Sequence, residues 1–569
     1  MTSHARAHAL LLSDQDRLDI SGRAATLDEC LGGIGAARPP AGQGAEFLAR
    51  WAEAFSPGDA DAFRRRLAWD GLDEASVRRA LDARVPAPAG HPPAWTAWLD
   101  RFLEEAAALA APLDPAADAA EVARLTPSPE PPFLEVWIPL VRAARSTLDA
   151  RVPLDGIGAG ARDAFARSLV LDLSAAGELA LDERFRAFEG EDGRYAAFVR
   201  HLLEGGLAAV FTCYPVLARH LALLVSTWVD STAELVERLR RDRDAIATAF
   251  GDPAPGEVRD AAPALSDRHD GGRRVSILTF ASGLRVVYKP RDVGMERAFQ
   301  EFQEWLAERG LAAVPRAVRV LEREGYGWAE CVEQEPFARR AQVAEYFRRA
   351  GAAACILHVL RGADAHQENV VATRGGPVLV DPEMLLQPVD ADEERDNAAG
   401  GAIDGASHGV PRSCLSPGFV SLLDLDADGA AYDVGGLMPA SQRATLGAER
   451  SWRGQRTDDV HFVRERRVRP ALRNDVVLDG VVQRPQAFAA EILSGFAEAY
   501  RFFLAERAQI LAPQGPLALF AGRRTRILFR PSDQYGFFLH ALAAPRYQRR
   551  GLDRAIALSR DTLAYARME

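Results

Sequence analysis

The chain has 569 residues, 48% of them hydrophobic and 26% charged, a balance that excludes wholesale disorder. A net charge of −11 argues against a general nucleic-acid or anionic-membrane binder, which would be basic. Of the 69 basic residues only Lys289 is lysine. Arginine and lysine are not interchangeable where a compact ammonium must reach a phosphate from a flexible stem, so this position marks a place to look for chemistry.

Five cysteines, Cys30, Cys213, Cys331, Cys355 and Cys414, stand far apart with no CxxC or Cys–His cadence. That pattern predicts a reducing compartment and no zinc. The amino terminus has a four-residue apolar run and then charges, too short for a signal peptide. No stretch approaches the roughly 20 apolar residues that cross a bilayer. A cytoplasmic protein without membrane insertion and without a nucleic-acid partner is expected.

In chain order, Phe47, Trp51 and Phe55, then Phe63 and Leu67, recur at helical spacing over 45–110. A Pro/Ala/Asp stretch at 111–133 reads as a linker, and helical periodicity resumes over 134–250. The run 214–250 is apolar on one face and rich in Arg and Asp on the other, the pattern of a core-facing helix. After Pro253–Pro255 the character changes. Residues 273–289 alternate around Ser282-Gly283 as a β-hairpin, and 295–310 reads as an amphipathic helix ending near Gly310. Two short strands flank a Gly325-Tyr326-Gly327 turn, and a helix spans 340–361. Residues 388–410 are acidic and rich in Gly and Ala, a loop composition. From about 486 the chain is helical except around 524–535, where a short strand is expected. These readings divide the chain into helical regions at 1–125 and 126–255, a core at 256–390, an insertion at 391–485 and a helical lobe at 486–569. The fold class is α+β, mostly helical.

The order of polar residues in the core carries chemistry. Phosphoryl transfer needs a cation over the ATP phosphates, a carboxylate near the attacking hydroxyl and oxygen ligands for Mg²⁺. Lys289 ends a strand and suits the first task; Asp364, just after a helix, suits the second. Asn369 and Asp381 suit the third, with Glu383 as an additional metal ligand. Each piece alone is usually structural, but four in kinase order, including the sole lysine, outweigh that reading. The Gly-rich loop of protein kinases is absent, and Asp364-x-His366-x-x-Asn369 followed by Asp381 resembles the lipid kinases. Two flanking segments have no place in an ordinary kinase. One holds Asp267 and His269; the other holds Arg524, Arg526 and Arg530 with Thr525 and Ser532. Arginines beside a phosphate-handling site are natural anion ligands, although any single one in so arginine-rich a chain can equally be a solvated edge.

In that order and spacing, GRRVSILTFASGLRVVYKPRD, GYGWAECVE, GADAHQENVV, PVLVDPEML and RILFRPSDQY resemble the dehydratase domain of type II lanthipeptide synthetases (LanM). YPVLARHLALLVSTW and, more loosely, SWRGQRTDDVHF and RNDVVLDG extend the resemblance from about residue 130 onward. It implies a lipid-kinase-like bilobal core that uses ATP and Mg²⁺ to phosphorylate Ser and Thr of a ribosomal precursor peptide. Elimination of phosphate would then leave dehydroalanine or dehydrobutyrine. By motif match Lys289, Asp364, His366, Asn369, Asp381 and Glu383 take the phosphorylation roles, and Asp267, His269, Arg526 and Ser532 the elimination roles. Elimination needs a general base, here His269 oriented by Asp267, and cations that hold the leaving phosphate, here Arg526 with help from Arg530. Ser532 stands where the family pattern has Thr, and a hydroxyl remains. The sequence ends where the family continues into a zinc cyclase, so the expectation is either a dehydratase working with a separate cyclase or a fragment. The competing function is a lipid-kinase-like phosphotransferase without elimination, which would leave Asp267, His269, Arg526 and Ser532 idle.

Overall fold

A computed structural model of the chain describes residues 12–32, 44–82, 93–109, 115–127, 130–190, 193–388, 413–425, 431–439, 449–466, 472–527 and 532–566. Over these residues the fold is α+β and mostly helical, as the periodicity predicts. Phe47, Trp51, Phe63 and Leu67 are buried together, and Leu552 of the helix Gly551–Ala566 joins them. Two long helices, α1 (Ala159–Arg186) and α2 (Pro215–Phe250), form the frame against which the sheet packs. Pro215 is tolerated because it opens α2, where its missing N–H costs nothing.

Three local expectations are corrected. The segment read as a linker contains a helix, Pro115–Leu125, since its alanines favour helix and its proline stands at the first position. The turn between the two short strands is Glu324-Gly325, with φ of +75° at Gly325. Tyr326 and Gly327 belong to the strand after it. The third concerns bilayer-length helices: Arg194–Cys213 is one helical run long and apolar enough to cross a membrane by length and composition. Gly205, at φ of 127°, interrupts its helical path, and Tyr195, Phe198, Leu202, Leu207, Val210 and Phe211 are buried in the core.

A five-stranded antiparallel sheet comes next, in the order β1-β2-β3-β5-β4. Its strands are β1 (Val258–Ala262), β2 (Ser276–Phe280), β3 (Arg285–Lys289), β4 (Val320–Arg323) and β5 (Tyr326–Glu330). The alternation of the 273–289 segment places Leu278, Phe280, Val286 and Tyr288 on the face that joins the core of α1 and α2. Helix α3 (Gly294–Glu308) crosses between β3 and β4. Gly327 pairs with Lys289 across β3 and β5; a Cβ there would fall 2.2 Å from Val293, so only glycine lets the start of α3 approach the sheet.

One carboxylate fastens sheet to helix. Asp242 of α2, 3% exposed, accepts hydrogen bonds from Tyr326 Oη at 2.7 Å and Trp328 Nε1 at 2.9 Å, and pairs with Arg323 Nε at 2.8 Å. Burial alone would raise its pKa, but these three donors outweigh it and hold Asp242 below the ordinary carboxylate range.

Below the sheet, α4 (Arg340–Val359) lies against α5 (Ala489–Ala505). The crossing is close because both helices offer glycine. A Cβ on Gly351 would meet the Ile492 carbonyl oxygen at 1.8 Å, and one on Gly495 the Arg348 carbonyl oxygen at 1.7 Å. The hairpin β6 (Val370–Thr373) and β7 (Gly376–Leu379) comes after α4.

Asp242→Ala strands two buried donors and one arginine and is expected to cost about 3 kcal/mol in urea unfolding. Because the Asp242 pKa is depressed in the fold, its contribution is present above the unfolded carboxyl pKa and is lost as pH falls through the folded value. The difference between native chain and variant should therefore shrink on acidification. Gly495→Ala is expected to lower the melting temperature as well, since a methyl must displace backbone.

Candidate active site

Lys289 is the last residue of β3, and its side chain is 6% exposed. Its Nζ donates to the Val380 carbonyl and to Asp381 Oδ1, each at 2.8 Å, and lies 3.4 Å from Glu296 Oε1 on α3. The ammonium is thus held by the helix on one side and by the residues after β7 on the other. Burial works against ionisation of Asp381, but Lys289 and Arg291 outweigh it and hold the carboxyl at about 2.

The β6–β7 hairpin explains how the second group assembles. Val370 pairs with Leu379, and the Val380 N–H donates to the Asn369 carbonyl at 3.0 Å. Asn369 and Asp381 therefore emerge side by side from the open end of one hairpin. Asn369 Nδ2 donates to the Asp364 carbonyl at 2.8 Å, and His366 Nε2 lies 3.4 Å from Asp364 Oδ1. Asp364 has φ of 61°, a left-handed conformation that Asp tolerates better than most residues. The Ala363 N–H to Met384 O and the Ala365 N–H to Pro417 O, at 2.8 and 2.9 Å, pin the chain on either side. Burial pushes the Asp364 carboxyl upward, and the charge of Asp381 adds to that, against His366, Arg526 and Asn369.

Arg526 reaches the same place from far along the chain. Its Nη1 pairs with Glu383 Oε1 at 2.7 Å and its N–H donates to the Glu383 carbonyl at 3.1 Å. Thr525 Oγ1 donates to the Leu385 carbonyl at 2.7 Å, and Gln387 Nε2 to the Arg526 carbonyl at 2.8 Å. Among the described residues 523–527 belong to no strand, and these few bonds to 383–387 hold Arg526; the next part of the expected strand, 528–531, lies outside the described residues. Burial and the Asp381 charge raise Glu383, with Arg291 and Arg526 opposing.

His269 lies on the connection from β1 to β2. Its N–H donates to the Arg273 carbonyl, and its carbonyl accepts from the Gly272 N–H, each at 2.8 Å. Arg268 and Arg274 both pair with Asp172 of α1, at 2.6 and 3.1 Å, and Arg273 pairs with Glu234 of α2 at 2.6 Å. The loop is thereby clamped to both long helices. Asp267 is exposed and acts on the imidazole through its charge; the backbone bridge to Arg273 sets the residue's place instead. Burial lowers the His269 pKa, and Arg526 and Arg291 lower it further, against Asp267 and Asp381. Burial and the two guanidinium groups thus favour the neutral imidazole, which shares its electrostatic surroundings with the phosphorylation candidates. Ser532 opens the helix α6 (Ser532–Leu542); its side chain, and all of Arg530, fall outside the described residues.

Two residues of the site are not singled out by the sequence pattern. Glu296 has a signal, a carboxylate on the buried face of α3 beside Phe299 and Gln303. Arg291, two residues beyond the lone lysine, has none in so arginine-rich a chain. It pairs with Glu296 at 2.7 Å, with Glu383 at 2.9 Å and with Asp381. Burial opposes its charge, but these three carboxylates more than offset it and hold Arg291 above its ordinary value. Among the described residues no three His, Cys, Asp or Glu side chains form a ready metal cluster. Asn369 and Asp381 do offer the hard oxygen atoms that Mg²⁺ prefers, and the buried Glu296 Oε2 has no hydrogen-bond partner.

The family described as "Domain of unknown function (DUF4135)" matches residues 214–569, which span the sheet, Lys289, the Asp364 loop, Asp381 and Arg526. The chain belongs to this family, the domain associated with LanM-type lanthipeptide synthetases. The LanM-type chain is also 23% identical over 298 residues to the lacticin 481/lactococcin biosynthesis protein LcnDR2 of Lactococcus lactis subsp. lactis. That match covers 49% of this chain and 31% of the relative's length.

If His269 and Arg526 share one site, the ring's titration reports it. In histidine-labelled NMR spectra, with His269→Gln to assign the signal, His269 should titrate below the ordinary 6.5. Arg526→Ala removes a cation and should raise that pKa; Asp267→Asn removes an anion and should lower it.

Proposed function

We propose that this protein is a cytoplasmic lanthipeptide dehydratase that phosphorylates Ser and Thr of a ribosomal precursor peptide with ATP and then eliminates the phosphate. The observation that carries the reading is the buried Lys289, shared between Glu296 of α3 and Asp381. Protein kinases pair a β3 lysine with a helix glutamate in this way and add a metal-binding aspartate. The sheet order β1-β2-β3-β5-β4 with a helix between β3 and β4 agrees with a kinase-like core, of the lipid-kinase type that the Asp364-x-His366-x-x-Asn369 spacing suggests. The printed role of the LcnDR2 relative, lacticin 481/lactococcin biosynthesis, supports a precursor peptide as substrate.

Asn369 and Asp381, with Glu383 beside them, would hold Mg²⁺, which would supply positive charge to offset that of the nucleotide phosphates. Lys289 grips the phosphates from β3. Asp364, made more basic by burial, accepts the proton of the Ser or Thr hydroxyl as its oxygen bonds to the γ-phosphorus and the bond to ADP breaks. His366 steadies the Asp364 carboxylate. In the second half-reaction neutral His269 removes the α-proton. The C–H electron pair becomes the Cα=Cβ bond, the Cβ–O bond breaks, and phosphate departs held by Arg526. Asp267 stabilises the imidazolium so formed.

Incubation with ATP, Mg²⁺ and a Ser/Thr-containing precursor peptide, with mass spectrometry as the readout, tests the reading. A loss of about 18 Da per site is expected, whereas a gain of about 80 Da without loss points to a phosphotransferase alone. Asp364→Ala should leave the peptide unmodified, and Arg526→Ala should accumulate phosphopeptide. Lys289→Arg keeps the charge but loses the compact ammonium and should cut phosphorylation at least about tenfold. Full dehydration by the Arg526 variant would remove the elimination assignment.

A further inference from the structure

Three carboxylates meet below the sheet, and three cations already match them. Glu296 lies between Lys289 and Arg291, Asp381 between the same two, and Glu383 between Arg291 and Arg526. Among these cations Arg291 alone touches all three acids. Its side chain is 17% exposed and that of Glu296 is 4% exposed, so water screens the cluster weakly. A divalent ion added to this balanced set brings two surplus positive charges into a half-buried place. The same ion arriving with the polyanionic phosphates of a nucleotide does not, because the phosphates bring the compensating charge. The guanidinium released from Asp381 then has a phosphate to grip with its planar fork.

We propose that Arg291 is the resident cation of this carboxylate cage, occupying Asp381 and Glu383 until a divalent ion enters together with nucleotide phosphates. The proposal rests on the phosphotransfer reading above and adds to it a dependence of metal entry on nucleotide. Arg291 acts here as a positioning residue, setting which ligands can enter and in what company. Removing its charge leaves the cage with a surplus carboxylate, so a metal ion alone should then be accepted.

The test is calorimetric titration of the full chain with Mn²⁺ in the absence of nucleotide, native chain against Arg291→Met. A separate titration uses a non-hydrolysable ATP analogue. The variant is expected to bind Mn²⁺ at least about tenfold more tightly than the native chain, while Arg291→Lys, which keeps the charge, should stay within a few-fold of native. Arg291→Gln serves if the Met variant fails to give a native circular-dichroism melt. Equal Mn²⁺ affinity in native and charge-removed chains overturns the proposal, as does micromolar Mn²⁺ binding by the native chain alone. Either result leaves the phosphotransfer reading standing provided the analogue binds. Failure of the analogue to bind native chain with or without Mn²⁺ removes that reading first and the proposal with it.

Discussion

An ammonium carried almost wholly out of water needs acceptors and countercharge in place of its hydration, and the site is arranged around that constraint at Lys289. The strand brings the side chain in, α3 offers Glu296 from one side, and the end of β7 offers Val380 and Asp381 from the other. Each acid recruited in this way needs further compensation, which Arg291 and Arg526 supply. The result is a chain of contacts joining strand, helix, hairpin and a distant carboxy-terminal segment. Removing one member of such a network leaves a charge without its partner, an effect larger than the loss of any single surface pair.

The scaffold keeps these elements from drifting. Asp242 ties the sheet to α2 through three donors, and Asp172 and Glu234 hold the His269 loop to α1 and α2. Helical and sheet residues share one apolar core, from Trp137 and Leu169 to Tyr288 and Trp328. The long helices are thus part of the site's frame, although they carry none of its proposed chemistry.

Periodicity and turn residues suffice to read the helices, the β2–β3 hairpin and α3, because each depends on local pattern. Strand β1 is not legible in this way: Val258–Ala262 has little β character and gains its place by pairing with β2 beside α1. The helix at Pro115–Leu125 is hidden because proline and aspartate dominate the local pattern of an alanine-rich stretch. Within the site, Lys289 stands out as the lone lysine, and Asp364, Asn369 and Asp381 follow from spacing. Arg291 cannot stand out among so many arginines; its importance lies in three acids converging from different elements. The Asp267–His269 partnership is legible as proximity in sequence, but what fixes the loop is ion pairs to residues roughly a hundred positions upstream and on α2.

The glycine-to-glycine crossing of α4 and α5 has a bearing on which changes this part of the chain can absorb. Gly351 and Gly495 bring together helices separated by the whole stretch that carries the small hairpins. The entropy of closing a loop grows only logarithmically, by about 0.6 kcal/mol for each doubling of its length. Once the two backbones are in contact, the intervening stretch can lengthen or shorten at little cost to stability. The crossing, by contrast, admits no side chain at either glycine. Length tolerance and residue intolerance meet at one helix pair, so a change in the length of the intervening stretch costs the fold less than a single methyl at Gly351 or Gly495.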